Sequence, residues 1–387
     1  MDLPPDIIAS VIHYLRNDYR ALSALCLTSS IFLPESRRCL YRAIAFTQDR
    51  RNIKFVPHEV FVFDLDALVQ LSSTLVHHNS SLATYTRTFL VGIGMYRYLS
   101  TPPGALKFLN ACLRRMDNLQ DLSIISSYPF SDVVQGCTFK LVSFCYSPGY
   151  KDTITKDVHE FISGQPTLKR LGFFETTGHV DYDLFNWPEN IPVPRFEHLT
   201  AATAVIKCVL PMTSATSLRW IAKGNEEFRG FVEPRLQRSL ETIKSLHLDI
   251  SSSINLRHII YSATSWLNQC RNVQILHITI PSSRIRTEVC YPNVYTVMLG
   301  LPCLRIFVLS YPVWEGRWED IHAEFVVNLE TRNEQITEWF DTSETFQAAY
   351  FQVSPTTEAK SFYVYERGAL EPIRVEASEV WDISPWA

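Results

Sequence analysis

The chain has 387 residues, 46% of them hydrophobic and 20% charged, with a formal net charge of −4. That balance fits a globular protein with room for one small module and one large domain, and it excludes extended disorder. It leaves no electrostatic footprint for nucleic acid, and no apolar run reaches the ~18 residues of a membrane span. Asp2, Pro4 and Pro5 stand where a secretory signal would carry basic residues and an apolar core, so a cytoplasmic or nuclear address is expected. The nine cysteines are scattered with none closer than eight residues to another, which removes CxxC and zinc-ribbon spacings. They read as reduced, structural side chains.

The first 46 residues predict three short helices. Pro4 and Pro5 suit a first helical turn, and Ile7, Ile8, Val11, Ile12 and Leu15 recur behind them as one apolar stripe. Asp18 reads as the N-cap of a second helix carrying Leu22, Leu25 and Cys26. Pro34 and Glu35 start a third, with Leu40, Tyr41 and Ile44 on one side. A module of about 40 residues cannot bury that much apolar surface internally, so the remainder is predicted to be an interface.

The stretch Leu3-Pro4-Pro5-Asp6-Ile7-Ile8, the later Leu25-Cys26-Leu27 and the closing Arg38-Cys39-Leu40-Tyr41-Arg42-Ala43-Ile44 resemble the F-box. More narrowly, they resemble the F-box-like proteins expanded in mushroom-forming fungi. Phe32 stands where that family usually has Trp, and Ser29 where it often has Cys. The resemblance implies a Skp-type adaptor, and through it a cullin, as partners. It further implies that Leu3, Pro4, Ile7, Ile8, Ile12, Leu15, Leu25 and Leu27 make the adaptor contact.

Residues 47–84 read as a polar connector followed by a helix over Asp64–Val76, closed by His77 and His78 as cations near its C-terminus. From residue 85 to 310, nine short strands are predicted, centred on Phe89, Leu122, Phe144, Leu171, Leu199, Ile221, Leu246, Leu276 and Phe307. The spacings of 33, 22, 27, 28, 22, 25, 30 and 31 residues are too long for hairpins and predict crossovers between parallel strands. Helical crossovers are legible at Pro103–Met116, Thr155–Ile162 and Leu256–Cys270.

This helix, polar turn and L-x-x-L strand cadence resembles degenerate leucine-rich repeats, and implies a solenoid whose concave face carries the residues between the repeat leucines. Those positions are Asp121, Ser123, Ser143, Arg170, His198, Trp220, Ser245, His247, Ile275, His277, Ile306 and Val308. Arg170, His198, Trp220, His247 and His277 are the expected target-binding side chains, because aromatic and Arg anchors dominate protein interfaces.

From 311 to 387 the repeats fade and aromatics gather. Trp314, Trp318, Trp339, Trp381 and Trp386 all fall there, and Ser361–Tyr365 with Pro372–Val375 predicts a β-hairpin. This segment is expected to cap the last repeat. The fold class expected is therefore α/β: an F-box, an irregular leucine-rich-repeat solenoid with a parallel sheet, and a C-terminal cap.

No Walker-type glycine loop, G-x-S-x-G elbow or H-E-x-x-H motif is present, and the eleven histidines are dispersed. Nothing asks for a cofactor, a metal or a small-molecule substrate. The expectation is a non-catalytic receptor subunit of an SCF-type ubiquitin ligase, holding an unidentified target protein through its repeats. The alternatives are a repeat scaffold without ubiquitin transfer, whose N-terminal helices act as a cap, and an enzyme using a strand-end pocket.

Overall fold

The structure, a computed structural model, describes residues 4–16, 18–47, 61–63, 65–78, 80–93, 104–126, 128–148, 154–174, 185–222, 234–250, 269–279, 300–310, 329–354, 361–369, 371–376 and 380. The chain divides into two compact units, residues 1–194 and 195–387. Leu3, the predicted helix before Cys270, and Trp314, Trp318, Trp381 and Trp386 lie outside the described residues.

The first unit opens with α1 (Pro5–Tyr14), α2 (Tyr19–Thr28) and α3 (Leu33–Leu40). Proline occupies the first turn of α1 and of α3, where its missing N–H removes no intrahelical bond. Asp18 caps α2, its Oδ1 accepting from the Ala21 N–H at 2.9 Å. Ile8, Ile12 and Leu22 form the helical core, with Leu15, Leu25, Phe32, Cys39 and Leu40 packed around it.

The third helix is shorter than its sequence implies. It stops at Leu40, and Ala43–Thr47 is a strand, β1, with Ile44 buried at 1% exposure. A run of only five residues carries too little periodicity to separate a helix end from a buried strand.

Five further strands, β2 (Phe61–Phe63), β3 (Thr88–Ile93), β4 (Asp121–Ser126), β5 (Ser143–Pro148) and β6 (Arg170–Phe173), join β1 in the order β2-β1-β3-β4-β5-β6. Every pair is parallel, as the long connections require. The register sets Phe61, Ile44, Phe89, Leu122, Phe144 and Leu171 in one row. Helices α4 (Leu65–Ser73), α5 (Ala105–Leu113), α6 (Phe130–Val134) and α7 (Lys156–Ser163) fall between strands. Phe130 of α6 and Phe161 of α7 meet Phe144 edge-on or tilted at ring separations of 5.8 and 5.2 Å, the geometry aromatic pairs prefer.

The second unit repeats the scheme with β7 (His198–Ala202), α8 (Thr203–Val209), β8 (Ser217–Ala222), α9 (Pro234–Leu240), β9 (Ser245–Ile250), β10 (Ile275–Thr279) and β11 (Ile306–Ser310). It ends with α10 (Leu329–Thr342), β12 (Ala348–Ser354), β13 (Ser361–Glu366) and β14 (Ile373–Glu376). The strands lie in sequence order and are parallel as far as β12. β13 and β14 then turn back antiparallel, forming the hairpin that Ser361–Tyr365 and Pro372–Val375 predict. Gly368 makes its turn at φ +83°, a left-handed backbone that side chains resist. Beside it, Arg367 donates to the carbonyls of Phe340, Ser343 and Phe346, satisfying the C-terminal end of α10.

The row in this unit runs Leu199, Leu218, Leu246, Leu276, Phe307 and Ala349. Ile221 is therefore not a row member; it sits on the opposite face, opposite Asp249. At the start of most of the parallel strands, one carbonyl accepts from two successive N–H groups of the next. The Arg87 oxygen takes Gln120 and Asp121 at 2.8 and 2.9 Å, and the Gln274 oxygen takes Arg305 and Ile306 at 2.8 and 3.0 Å. Together the two units make a mixed α/β protein whose sheet strands are mostly parallel. Among the described residues no helix is long and apolar enough to cross a membrane.

Candidate interaction site

The N-terminal helices sort their apolar residues onto two faces. In α1, Ile8, Ile12 and Leu15 follow the i, i+4, i+7 spacing and turn inward, the first two at 9% and 1% exposure. One residue back, Ile7, Val11 and Tyr14 follow the same spacing and turn outward, at 49%, 38% and 88% exposure. Tyr19 and Leu27 of α2 and Ile31 before α3 are exposed at 42%, 88% and 46%. These six are most of the eight large hydrophobic side chains exposed among the described residues, the others being Met212 and Ile373. Exposure of single apolar residues is ordinary, whereas six on one small module make it the candidate interaction surface.

The expected adaptor residues divide accordingly. Pro4, Ile7 and Leu27 are exposed, Leu15 and Leu25 are half-buried against the helical core, and Ile8 and Ile12 are interior. The apolar stripe is thus two stripes, and a contact role for Ile8 and Ile12 gives way to a packing role. Val11, Tyr14, Tyr19 and Ile31 are exposed as well and were not among the expected contacts; the i, i+4, i+7 series through Ile7, Val11 and Tyr14 marks the first two of them. Burial pushes the thiols of Cys26 and Cys39 above their ordinary value, so both are neutral packing groups.

The strand positions expected to bind a target separate more sharply. Arg170 is exposed and reaches over the intervening strand to Asp121, whose Oδ1 accepts from Nη2 at 2.8 Å. Thr88 donates to the other carboxylate oxygen at 3.2 Å, so Asp121 is held from both sides. His198 is half-buried, its Nε2 4.0 Å from a carboxylate oxygen of Glu197.

Trp220, His247 and His277 are corrections. Trp220 is wholly buried, with Nε1 donating to the Thr203 hydroxyl at 2.8 Å. It alternates with the row leucine Leu218 and so shares the core side, where an indole N–H must find an internal acceptor. His247 and His277 do lie on the expected side of the sheet, yet each is only 1% exposed. None of the three presents a surface to a target.

The two imidazoles stack in parallel, ring centroids 3.9 Å apart and 4° from coplanar. His247 Nε2 lies 2.8 Å from the Thr279 hydroxyl, which lies 2.9 Å from the Ser310 hydroxyl, which lies 2.7 Å from His277 Nε2. Three hydrogen bonds need three protons, and the two hydroxyls supply two. One histidine must therefore donate from Nε2 while the other accepts there, so the pair holds opposite tautomers at this atom. Beside this chain, the part-buried Arg219 donates to Asp249 at 2.9 Å. These groups knit β8 to β11 through side chains as well as backbone.

Among the described residues, no group of three or more His, Cys, Asp or Glu side chains is placed to hold a metal ion. No family model matches the sequence, and no curated protein matches it.

Proposed function

We propose that the chain is the substrate-recognition subunit of an SCF-type ubiquitin ligase. On this reading, α1, α2 and the Ile31 turn dock on a Skp-type adaptor, and the strand–helix region, read as an irregular leucine-rich-repeat solenoid, holds a target protein. The observation that carries it is the outward apolar surface of Ile7, Val11, Tyr14, Tyr19, Leu27 and Ile31 on a module whose own core is already filled. That this apolar excess lies on the N-terminal sequence that resembles an F-box supports the reading. The mechanism is proximity: a bound target stays near the charged ubiquitin enzyme, raising effective concentration without bond chemistry by this chain.

A scaffold reading, with the helices as a cap, draws support from the direct run of α3 into β1, which makes the module contiguous with the sheet. The two separate on one experiment. The full chain is co-purified with a Skp-type adaptor, alongside Ile7→Glu/Leu27→Glu, which changes the exposed surface and spares Ile8 and Ile12. Stoichiometric adaptor on the unmodified chain, reduced at least tenfold on the variant, supports the receptor. A folded chain that ignores the adaptor leaves the scaffold.

A further inference from the structure

His159 lies in the middle of α7 at 2% exposure, and neither ring nitrogen has a hydrogen-bond partner among the described residues. A buried polar group left this way costs free energy unless something else uses it. Its surroundings are aromatic. The Trp187 ring stands edge-on at 4.6 Å and the Phe185 ring at 5.7 Å, and Phe185 in turn meets Phe173 of β6 at 5.7 Å.

Phe185 and Trp187 begin a strap without regular secondary structure, residues 185–194, the last stretch of the first unit. The strap is tied to itself: Trp187 Nε1 donates to the Ile191 carbonyl at 2.8 Å, and the Ile191 N–H donates to the Pro188 carbonyl at 3.0 Å. Trp187 and Ile191 are both buried, at 3% and 7% exposure. Two ring contacts join the strap to α7, Phe185 and Trp187 each against His159.

We propose that His159 is an acid-operated latch: the neutral imidazole seats the Phe185–Pro194 strap on α7, and protonation ejects the ring and releases the strap.

Charge is what this seat cannot accept. The ionisable side chains described on the elements around it are Lys156, Asp157 and Glu160 on α7, Asp132 on α6, Arg170 on β6 and Glu189 on the strap, all of them exposed. Lys156 is paired with Glu160 at 3.2 Å and Arg170 with Asp121 at 2.8 Å. Desolvation alone accordingly lowers the imidazole from its ordinary 6.5 to about 4. The released form binds a proton near the ordinary value and the seated form does not. The latch is therefore fully closed above pH 6.5, loosens as pH falls through that value, and stops changing below about 4. The gap between the two values corresponds to a rise in the opening constant of about 30-fold by pH 5, and up to about 300-fold at the acid limit.

The test is hydrogen exchange on the full chain at pH 7.5 and 5, corrected for the intrinsic pH dependence of amide exchange. Opening over 185–194 and the second turn of α7 is expected to rise about 30-fold at pH 5, while the β4–β5 ladder stays protected. In His159→Leu the strap should lose that pH dependence. A strap that opens equally at both pH values, or that still opens in His159→Leu, overturns the latch. Should His159→Leu not fold, the His159 ring proton resonance in the unmodified chain decides. Titration well below 6.5 upholds the proposal, and titration at the ordinary value ends it.

Discussion

The N-terminal helices and the strands of the second unit handle polarity in opposite ways. The helical module turns apolar residues outward, with Tyr14 and Leu27 each 88% exposed. The strands turn polar residues inward, with His247, His277, Thr279 and Ser310 all below 9% exposure. The first arrangement leaves apolar surface in water; the second is unfavourable unless every polar group is satisfied internally. Position in sequence therefore says little about which residues carry binding here. What decides is whether the cost of a side chain's location is already met within the chain.

That contrast is most easily broken in the core. Phe307 is fully buried and packs edge-on against Trp339 and Phe351 at 5.9 and 6.1 Å. Phe307→Ala is expected to destabilise by about 3–5 kcal/mol in urea unfolding. Leu27→Ala on the helical surface should shift the same curve by less than about 0.5 kcal/mol. An equally large effect at Leu27 would mean that its surface is not waiting for a partner.

The polar chain comes next. Ser310→Ala removes the hydroxyl that both Thr279 and His277 use, and is expected to cost about 1–3 kcal/mol. Nitrogen NMR of the unmodified chain should show one of His247 and His277 protonated at Nε2 and the other not. Two identical tautomers would mean that one of the three bonds is unmade.

The smallest effect separates two ion pairs. Arg219 and Asp249 are 13% and 21% exposed, whereas Arg170 and Asp121 are 50% and 31% exposed. Arg170→Ala should cost no more than about 1 kcal/mol, because solvent screens an exposed pair. Arg219→Ala should cost more, since it strands a carboxylate with little water. Thiol labelling extends the comparison: burial pushes Cys270 up to about 12 and Cys112 up to about 11. Both should resist alkylation at pH 8 in the folded chain and react once it is unfolded in urea.

Much of the parallel sheet was legible because a branched or aromatic residue marks each strand and the long gaps forbid hairpins. Phe89, Leu122, Phe144 and Leu171 fall in one row, and Leu199, Leu246, Leu276 and Phe307 in another. The reading slipped at β8, where Leu218-Arg219-Trp220-Ile221 offers two apolar phases. Choosing Ile221 put Trp220 on the wrong face, since adjacent strand residues point to opposite sides. His247 and His277 were assigned the right face and the wrong exposure. Alternation reports which side a residue faces, never what covers that side. β1, β2 and β12 were missed: the Ala-rich starts Ala43-Ile44-Ala45 and Ala348-Ala349 carry little strand signal, and Phe61–Phe63 is too short a run to show alternation. At the N-terminus the helices were legible, but the division of one stripe into a core face and an outer face needed the partner helices in place.

The paired N–H groups gripping one carbonyl at most parallel strand starts have a consequence for how such a chain can vary. Leu199 to Leu218 spans 19 residues and Phe307 to Ala349 spans 42, yet both steps land in the same row. Phase is kept by the grip and not by counting, so length is free to change where the strands finish. Four Gly-Ser residues added after Tyr128 should cost under about 1 kcal/mol, as loop closure grows only slowly with length. A single residue added inside Ser143–Pro148 should invert the strand and unfold the unit. One margin of the sheet is fixed grammar, and the other is open vocabulary.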